Sequence, residues 1–508
     1  MTKTSTNLAA RLESLIGASH VAADPSICAD YAVDAILPSA VAKPASAEEV
    51  AAIVRFAALE KLAIVPCGNR TKLRIGMPPS RYDLALDMTG LSQIAHYDPG
   101  DLTLSVDAGF PIAKLNALLF EHKQFLPLLV PWYSRSTIGG TIASGVDSPL
   151  RQFYGTARDF LLGAEFVDGA GKLCKSGGRV VKNVTGYDLH KLLIGSLGTL
   201  AVVTRLNLRT FPAPPASRGF VASFPTQEGA LTLRSAIAAS PLSPLTLDIL
   251  SPGLAHVFAT RTPATPEVAV FGGENRETTQ AFLPPVGDWF RPREWQLCAA
   301  FDGTPEVLER YARDLTRLAE QSRATSTTIL DDSTRPSFWG RLRESLSMLL
   351  EASPATVIFK LSVLPAQHAA LFAKLQEIAE RSGLPHALVA RAGGTLFFAL
   401  LPASANDDAI APLAQAAIQI FECASSVKGH AMLLFAPLPL KRAFGVPDAP
   451  SGHAFYVPDA SSGQHLNIWG PRRLDLALMH RLKSAFDPHN ILAPSRLIEI
   501  PISSPATP

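Results

Sequence analysis

Apolar positions in the first twenty residues recur every three or four places, which predicts an amphipathic helix followed by an approach loop to residue 30. After Pro44, Ser46-Ala47-Glu48-Glu49 has the pattern of a capping box, in which the Ser46 hydroxyl takes the Glu49 amide and Glu49 reaches back. A helix to about Leu62 follows from it. Short apolar or alternating runs bounded by turn residues predict strands at Leu62–Pro66, Asp83–Met88, Gln93–Tyr97 and Leu102–Ala108. Pro111 opens a helix to about His122. Gly139 to Gly145 reads as a glycine-punctuated segment, Phe160–Val167 as a strand ending in an Asp168-Gly169 turn, Tyr187–Ile194 as a short helix and Thr199–Leu208 as a strand.

Pro212, Pro214 and Pro215 mark a boundary beyond which the pattern changes. Strand Phe220–Phe224, a helix over 227–239 and strand Thr246–Leu250 form one unit; strand Trp295–Phe301, a helix over 305–321 and strand Thr327–Leu330 form another. The next run is strand Thr356–Leu361, helix 365–381, strands Ala387–Arg391 and Thr395–Leu401, helix 407–422 and strand Ala431–Phe435. Its order, β-α-β-β-α-β, predicts an antiparallel sheet with helices on one face, and the two runs read as a weak internal duplication. A helix over 472–485 and the segment Phe486-Asp487-Pro488-His489-Asn490-Ile491-Leu492 close the chain, with a disordered tail expected after Pro501.

The 508 residues suggest about three domains, or two with one large. A formal charge of +2 gives no reason to expect nucleic acid or an anionic membrane as partner. Charged residues are only 18%, against about 25% in ordinary proteins, which suits a surface partly covered by another protein. Cys28, Cys67, Cys174, Cys298 and Cys423 lie far apart and never as C-x-x-C, so no metal site, cysteine-ligated cluster or disulfide scaffold is expected. There is no secretory h-region and no apolar run long enough to span a membrane. A cytoplasmic protein is expected, held peripherally at the inner face of the membrane, if at all, through partners.

Five segments carry candidate chemistry. In Pro66-Cys67-Gly68-Asn69-Arg70-Thr71-Lys72 a strand ends in a turn whose backbone amides could nest an anion, although an ordinary surface turn has the same composition. Ser136-Thr137-Ile138-Gly139-Gly140-Thr141-Ile142-Ala143-Ser144-Gly145 allows close approach of a flat ligand, or simply close packing. Tyr154–Asp159, Lys182–Leu189 and Gly195–Thr204 read individually as a turn, a helix entry and a glycine-started strand.

In this order and spacing, the stretch from Tyr31 to Pro212 closely resembles the FAD-binding domain of the vanillyl-alcohol oxidase/PCMH family. The resemblance rests on P-x-G-N-x-T-K, then D-P-x-D-L-T-L-x-V-x-A-G from Asp98 to Gly109, T-I-G-G, Y-G-T-A-R-D-F-L-L-G, D-G-x-G-K and V-V-K-N-V-T-G-Y-D-L-x-K-L-x-x-G-S-x-G-T-L. Phe486 to Arg496 is similar to the family's closing F-D-P-x-x-I-x-x-P-x-R segment, and 216–450 suits its cap domain in pattern. Within the family the chain is most similar to the FAD-binding (E) subunits of glycolate oxidases.

The resemblance implies an α+β fold. Its parts are an N-terminal helix over 1–30, a PCMH-type FAD-binding domain over 31–213, a ferredoxin-like α+β cap with an antiparallel sheet over 216–450, and a segment over 465–500 that returns to the FAD domain. It implies that Cys67, Gly68, Asn69, Arg70, Thr71 and Lys72 wrap the FAD diphosphate. Thr137, Gly139, Gly140, Ser144 and Gly145 would lie along the diphosphate and the ring edge, Gly155, Arg158 and Asp159 would support that wall, and Val202 and Val203 would meet the adenine end. Gly186-Tyr187-Asp188 would stabilise the fold.

Three departures from the family bear on function. No histidine stands in Gly68–Lys72, where some relatives link FAD covalently, so non-covalent FAD is expected. Leu197 and Ala201 replace the Glu and last Gly of the catalytic relatives' G-S-E-G-T-L-G, which removes an acidic contact near the cofactor. The H-x-G-D-G-N-x-H type cluster of those relatives is absent. Oxidising a 2-hydroxy acid needs a base, a cation for the carboxylate and a hydride acceptor. His386, His430, His453 and His465 are the candidate bases, and Arg391, Arg442, Arg472 and Arg473 the candidate clamps, with His465 and Arg472 put forward first. Surface or hydrogen-bonded histidines remain the commoner reading, as do core positions for Trp339 and Trp469. The implied function is 2-hydroxy acid oxidation in a complex with a catalytic flavin subunit and an iron–sulfur subunit. The alternatives are a stand-alone FAD-dependent hydroxy acid or alcohol dehydrogenase, and an electron-relay or structural subunit without its own substrate site.

Overall fold

The computed structural model describes residues 3–180, 186–263, 290–330, 334–444, 467–471 and 475–497. Lys182–Thr185, His453, His465, Arg472, Arg473 and the tail after Pro501 lie outside these residues.

The first unit holds strands β1 Val21–Ala22, β2 Ala40–Ala42, β3 Ile64–Cys67, β4 Leu84–Asp87, β5 Ile94–Asp98, β6 Thr103–Asp107, β7 Gln124–Phe125, β8 Leu161–Asp168, β9 Leu173–Gly177, β10 Ala201–Arg209 and β11 Phe211–Pro212. A four-stranded sheet runs β1-β2-β4-β3, with β2, β4 and β3 parallel, and a five-stranded antiparallel sheet runs β5-β6-β10-β8-β9. The helix Ala47–Glu60 packs Val50, Ile53, Val54 and Ala57 into the core between the sheets. Its cap differs from the predicted box by one residue. Ser46 Oγ accepts from Glu49 N, but Glu49 accepts from the amide of Ala45, not of Ser46.

Two segments with no predicted helix are helical. Ile138–Ser144 is a helix, capped by Thr137 and closed by Gly145 at φ 61°. The reason is tertiary: Gly139 N donates to Ala108 O at the end of β6, so a glycine-rich segment is held helical by what it packs on. Arg151–Tyr154 and Ala157–Phe160 are one-turn helices around Gly155, the second opened by a Thr156/Asp159 capping box.

The second unit follows β11. Its strands are β12 Ser217–Phe224, β13 Thr246–Leu250, β14 Trp295–Asp302, β15 Ser326–Leu330, β16 Val357–Ser362, β17 His386–Arg391, β18 Thr395–Leu400 and β19 His430–Phe435. They form one antiparallel sheet in the order β15-β12-β14-β13-β17-β18-β16-β19. Each half has its own chain order fourth-first-third-second, and the halves join edge to edge through β13 and β17. The duplicated β-α-β-β-α-β pattern is therefore one continuous sheet.

Strand alternation sends Phe220, Ala222, Leu247 and Ile249 toward the helices Gln227–Ala238, Pro305–Gln321, His368–Arg381 and Asp407–Ser426. Val221, Leu250, Val389 and Phe397 face the first unit. Helices Pro252–Thr260, Arg335–Arg343 and Ser345–Ala352, which the periodicity did not reveal, fill the space between.

The closing segment returns to the first unit. Ile64 N donates to Ile491 O and Ala493 N to Ile64 O, which adds the segment beside β3. Buried Lys483 staples it, with Nζ donating to Asp487 Oδ2, to Thr199 O at 2.8 Å and to Leu492 O at 2.9 Å.

Candidate functional site

A cleft of about 770 Å³, its open mouth included, lies where the two sheets of the first unit meet. One wall is the turn after β3. Arg70 has φ 61°, a left-handed conformation that folds the turn sharply. Its guanidinium lies 4.4 Å over the Tyr31 ring and 3.9 Å from Asp87, neither of which lines the cleft. Asn69 Nδ2 fixes the turn by donating to Arg135 O at 2.8 Å. The opposite wall is the helix Ile138–Ser144 and the start of β10.

Glycine is required at one point in each wall. A Cβ on Gly68 would fall 2.1 Å from Thr137 Oγ1, and one on Gly139 would fall 2.6 Å from Ala108 Cβ. Gly68 thus lets the turn come up against the Thr137 side chain, and Gly139 lets its helix sit on Ala108, with no side chain of either residue entering the cleft.

Of the residues predicted for the cofactor, Cys67–Lys72, Thr137, Gly139, Gly140, Ser144, Val202 and Val203 line this cleft together. Gly145, Gly155, Arg158 and Asp159 do not. Gly145 ends the helix against Gly195, and Gly155 is the hinge between two helical turns. Arg158 and Asp159 are exposed, and the Asp159 carboxylate accepts from Thr156 N at 2.7 Å as a cap. Burial pushes the Cys67 thiol up, so it borders the cleft as an inert thiol.

Lys72 is buried at one end of the cleft. Its Nζ donates to Ser136 Oγ at 2.5 Å and Thr71 Oγ1 at 3.2 Å and lies 5.8 Å from the Trp132 ring centre. Burial pushes it down to about 7, with Glu344 opposing that shift and Arg135 adding to it. Two neutral oxygens hold this ammonium, an arrangement suited to a ligand carrying negative charge.

Beyond Lys72 the second unit closes over the first. Trp132 meets Phe435 edge-on at 5.9 Å. Glu344, wholly buried, accepts from Trp132 N at 2.7 Å, Tyr133 N at 3.1 Å, Ser347 Oγ at 2.7 Å and Arg343 Nε at 3.2 Å. The Arg343 guanidinium lies 4.6 Å over the Tyr133 ring, and its Nη2 has no partner. A second link joins the units at Asp147, whose carboxylate meets Lys360 Nζ at 2.9 Å and Arg151 Nη1 at 3.1 Å.

Sequence reasoning missed Arg343. It sits in Arg-Leu-Arg-Glu-Ser, a charged run on a helix that reads as surface until the first unit covers it. Those of its named candidates that are among the described residues do not line the cleft. Arg391 is paired with Asp248 at 3.2 Å across the β13–β17 junction, where burial pushes Asp248 up to about 6. His386 is half-buried beside Phe398, and burial lowers it. Arg442 is exposed and Trp339 is core. Trp469 Cζ2 would lie 3.6 Å from a Cβ on Gly76, so it packs at the turn beyond the cleft. No group of three or more His, Cys, Asp or Glu that could hold a metal occurs among the described residues, nor does a helix long and apolar enough to cross a membrane.

The backbone cradle, the close-packed glycine walls and the ammonium held by neutral oxygens fit FAD, with Gly68–Lys72 and Thr137–Gly140 as the residues that would hold it. Comparison with known proteins agrees. A family described as FAD binding domain matches residues 38–177, and one described as FAD linked oxidases, C-terminal domain, matches 213–431 and 469–497, together about three quarters of the chain. The chain is 36% identical to glycolate oxidase subunit GlcE of Escherichia coli over 193 residues, 38% of this chain and 53% of that one. It is 34% identical to D-2-hydroxyglutarate dehydrogenase of Xanthomonas citri over 37% of this chain and 40% of that one. It thus spans about half the length, or less, of these two relatives. Glycolate oxidase subunit GlcD of Bacillus subtilis matches at 25% over 91% of this chain and 89% of that one. Among solved structures, p-cresol methylhydroxylase with substrate bound superposes with a TM-score of 0.71 at 16% identity over 98% of both chains, a likeness of fold. The chain belongs to the FAD-linked oxidases, with an FAD-binding domain of the PCMH type, the C-terminal domain of that family, and FAD as its cofactor.

Proposed function

We propose that this chain oxidises a 2-hydroxy acid of the glycolate type to the 2-oxo acid, as the FAD-binding subunit of a glycolate oxidase-like complex. The observation that carries the reading is Arg343, a buried guanidinium with an unpartnered Nη2 at the junction of the cap and the FAD domain, next to but not lining the cleft beyond Lys72. A buried cation with donors to spare suits a planar carboxylate. Bound FAD would supply the hydride acceptor, N5 of its ring. Arg343 would then fix the substrate carboxylate, and the Trp132–Phe435 contact would exclude water. His465 and Arg472 stay proposed as base and second clamp. The names of the relatives support a hydroxy acid substrate. A catalytic flavin subunit and an iron–sulfur subunit are the proposed partners, and a cytoplasmic site, peripheral to the membrane through them, is the proposed location.

The test is an anaerobic flavin spectrum with glycolate, D-lactate or D-2-hydroxyglutarate added. Bleaching by one of them is expected, with the acid needed for half-bleaching raised about tenfold or more in Arg343→Gln, the loss of one charged hydrogen bond. A second reading, an electron-relay subunit, is favoured by two buried or half-buried histidines of the cap. His368 accepts from Arg234 and is pushed down to about 3 by burial, and His386 faces Phe398, so neither offers a base to the cleft. A flavin band untouched by every acid until partner subunits are added would select it.

Lys72 gives a further expectation. Its ordinary value of 10.5 is lowered to about 7 in the protein, and anionic FAD favours the protonated form. Below about pH 6 the ammonium is already formed and affinity for FAD should be flat. Above about pH 7 binding must take up a proton, so affinity should fall, by at most about tenfold per pH unit. Lys72→Met should bind FAD more weakly and lose this dependence. A wild-type titration flat from about pH 6 to 9 would rule the idea out. Lys441, pushed down to about 8 by burial, is held by Asp34 and Arg74 O and does not line the cleft.

A further inference from the structure

Arg496, in the closing segment, reaches the wall of the cofactor cleft although it lies more than four hundred residues from the turn after β3. It is 2% exposed. Its Nη2 donates to Leu73 O at 2.7 Å and to Ile75 O, both just beyond Lys72. Its Nε and Nη1 have no partner. No carboxylate forms an ion pair with it among the described residues: Asp34, whose field reaches it, is paired with Lys441 Nζ at 2.6 Å. Leu197 lines the same cleft and offers no charge. A guanidinium kept out of water with three N–H groups unused is costly unless an anion completes it. The cleft it borders is the one assigned to FAD, whose diphosphate has the oxygen geometry a guanidinium fork matches.

The same residue holds its segment in place. Met77 N donates to Arg496 O at 3.0 Å, and Ser80 N donates to Pro494 O at 3.1 Å. The segment and the loop 73–80 are therefore fastened to each other, and Leu73 and Arg496 carry that junction to the border of the cleft.

We propose that Arg496 pairs with the FAD diphosphate, so that cofactor binding and the docking of residues 487–497 are one linked event. The inference rests on the reading that this cleft holds FAD. It makes the closing segment a latch that tightens on the cofactor, since whatever binds the docked form stabilises it.

The test is hydrogen exchange on the full chain, free and with FAD, ADP or riboflavin. FAD and ADP are expected to slow exchange in 73–80 and 487–497, while riboflavin, which has the ring but no phosphate, leaves both unchanged. Arg496→Met is expected to bind FAD at least thirtyfold more weakly, and FAD should no longer slow exchange in 487–497. Arg496→Lys, which keeps the charge without the fork, should fall between. FAD bound at wild-type affinity by either variant, or equal protection by riboflavin, would overturn the inference while leaving FAD in the cleft. A wild-type chain that takes up no FAD would instead overturn the cofactor assignment, and this inference with it.

Discussion

Glu344→Ala is expected to destabilise the protein by about 4 kcal/mol or more, a large fraction of the roughly 5–15 kcal/mol by which ordinary proteins are stable. One carboxylate here satisfies two buried amides of the FAD domain, at Trp132 and Tyr133, together with Ser347 and Arg343 of the cap. Its loss leaves a buried guanidinium without its anion, about 3–5 kcal/mol when one partner of a buried pair is removed. It also leaves two amides without acceptors, about 1–3 kcal/mol each. These contributions share neighbours and will not add fully. Glu344→Gln keeps one carbonyl acceptor and should cost clearly less. Urea denaturation of the three proteins checks this, and a Glu344→Ala loss under about 1 kcal/mol would refute the role of Glu344 as the tie between domains.

Gly139→Ala should produce protein largely free of FAD. Two effects of opposite sign compete. Alanine is favoured over glycine inside a helix by about 1 kcal/mol. Against that, the added methyl would lie 2.6 Å from Ala108 Cβ and 2.8 Å from Ala108 O, and Ala108 is itself held by donating to Thr204 O. Neither partner is a flexible side-chain tip, so overpacking, about 1–3 kcal/mol, wins. The helix Ile138–Ser144 must move off Ala108, and both border the cleft. FAD affinity should fall about ten- to a hundredfold, or about 1.4–2.7 kcal/mol. Gly140→Ala is the control, because its methyl would meet only Thr137 Oγ1 at 3.0 Å. Its thermal midpoint without FAD should match or exceed the wild type. Normal FAD retention by Gly139→Ala would show that the wall has room to give.

Much of this molecule could be read from local pattern. The strand after Glu60, the turn Gly68–Lys72, the helix from Pro111 and both β-α-β-β-α-β runs follow from residue periods and turn chemistry, which act over a few neighbours. So did most of the cleft, since Cys67–Lys72 and Thr137–Gly140 are two contiguous motifs brought face to face. The failures have one cause. Gly139–Ser144 is helical because of Ala108, a contact no local rule contains. Tyr154–Asp159 resembles a cofactor wall in sequence yet folds into caps, its charges turned to solvent. Arg343 and Glu344 read as an ordinary charged helix end, and Arg391 as a free clamp.

By itself, then, the sequence determined most of the strands, the helices with a clear apolar period, and the two motifs that border the cleft. Only the tertiary structure decided which charges are buried and which of those lack a partner. Secondary structure is governed by neighbours a few residues away, whereas the cost of a charge depends on what covers it. Arg496 makes the difference plain. Its segment was recognisable as the family's closing motif, but its two unpartnered nitrogens at the cofactor cleft exist only because that segment folds back beside β3.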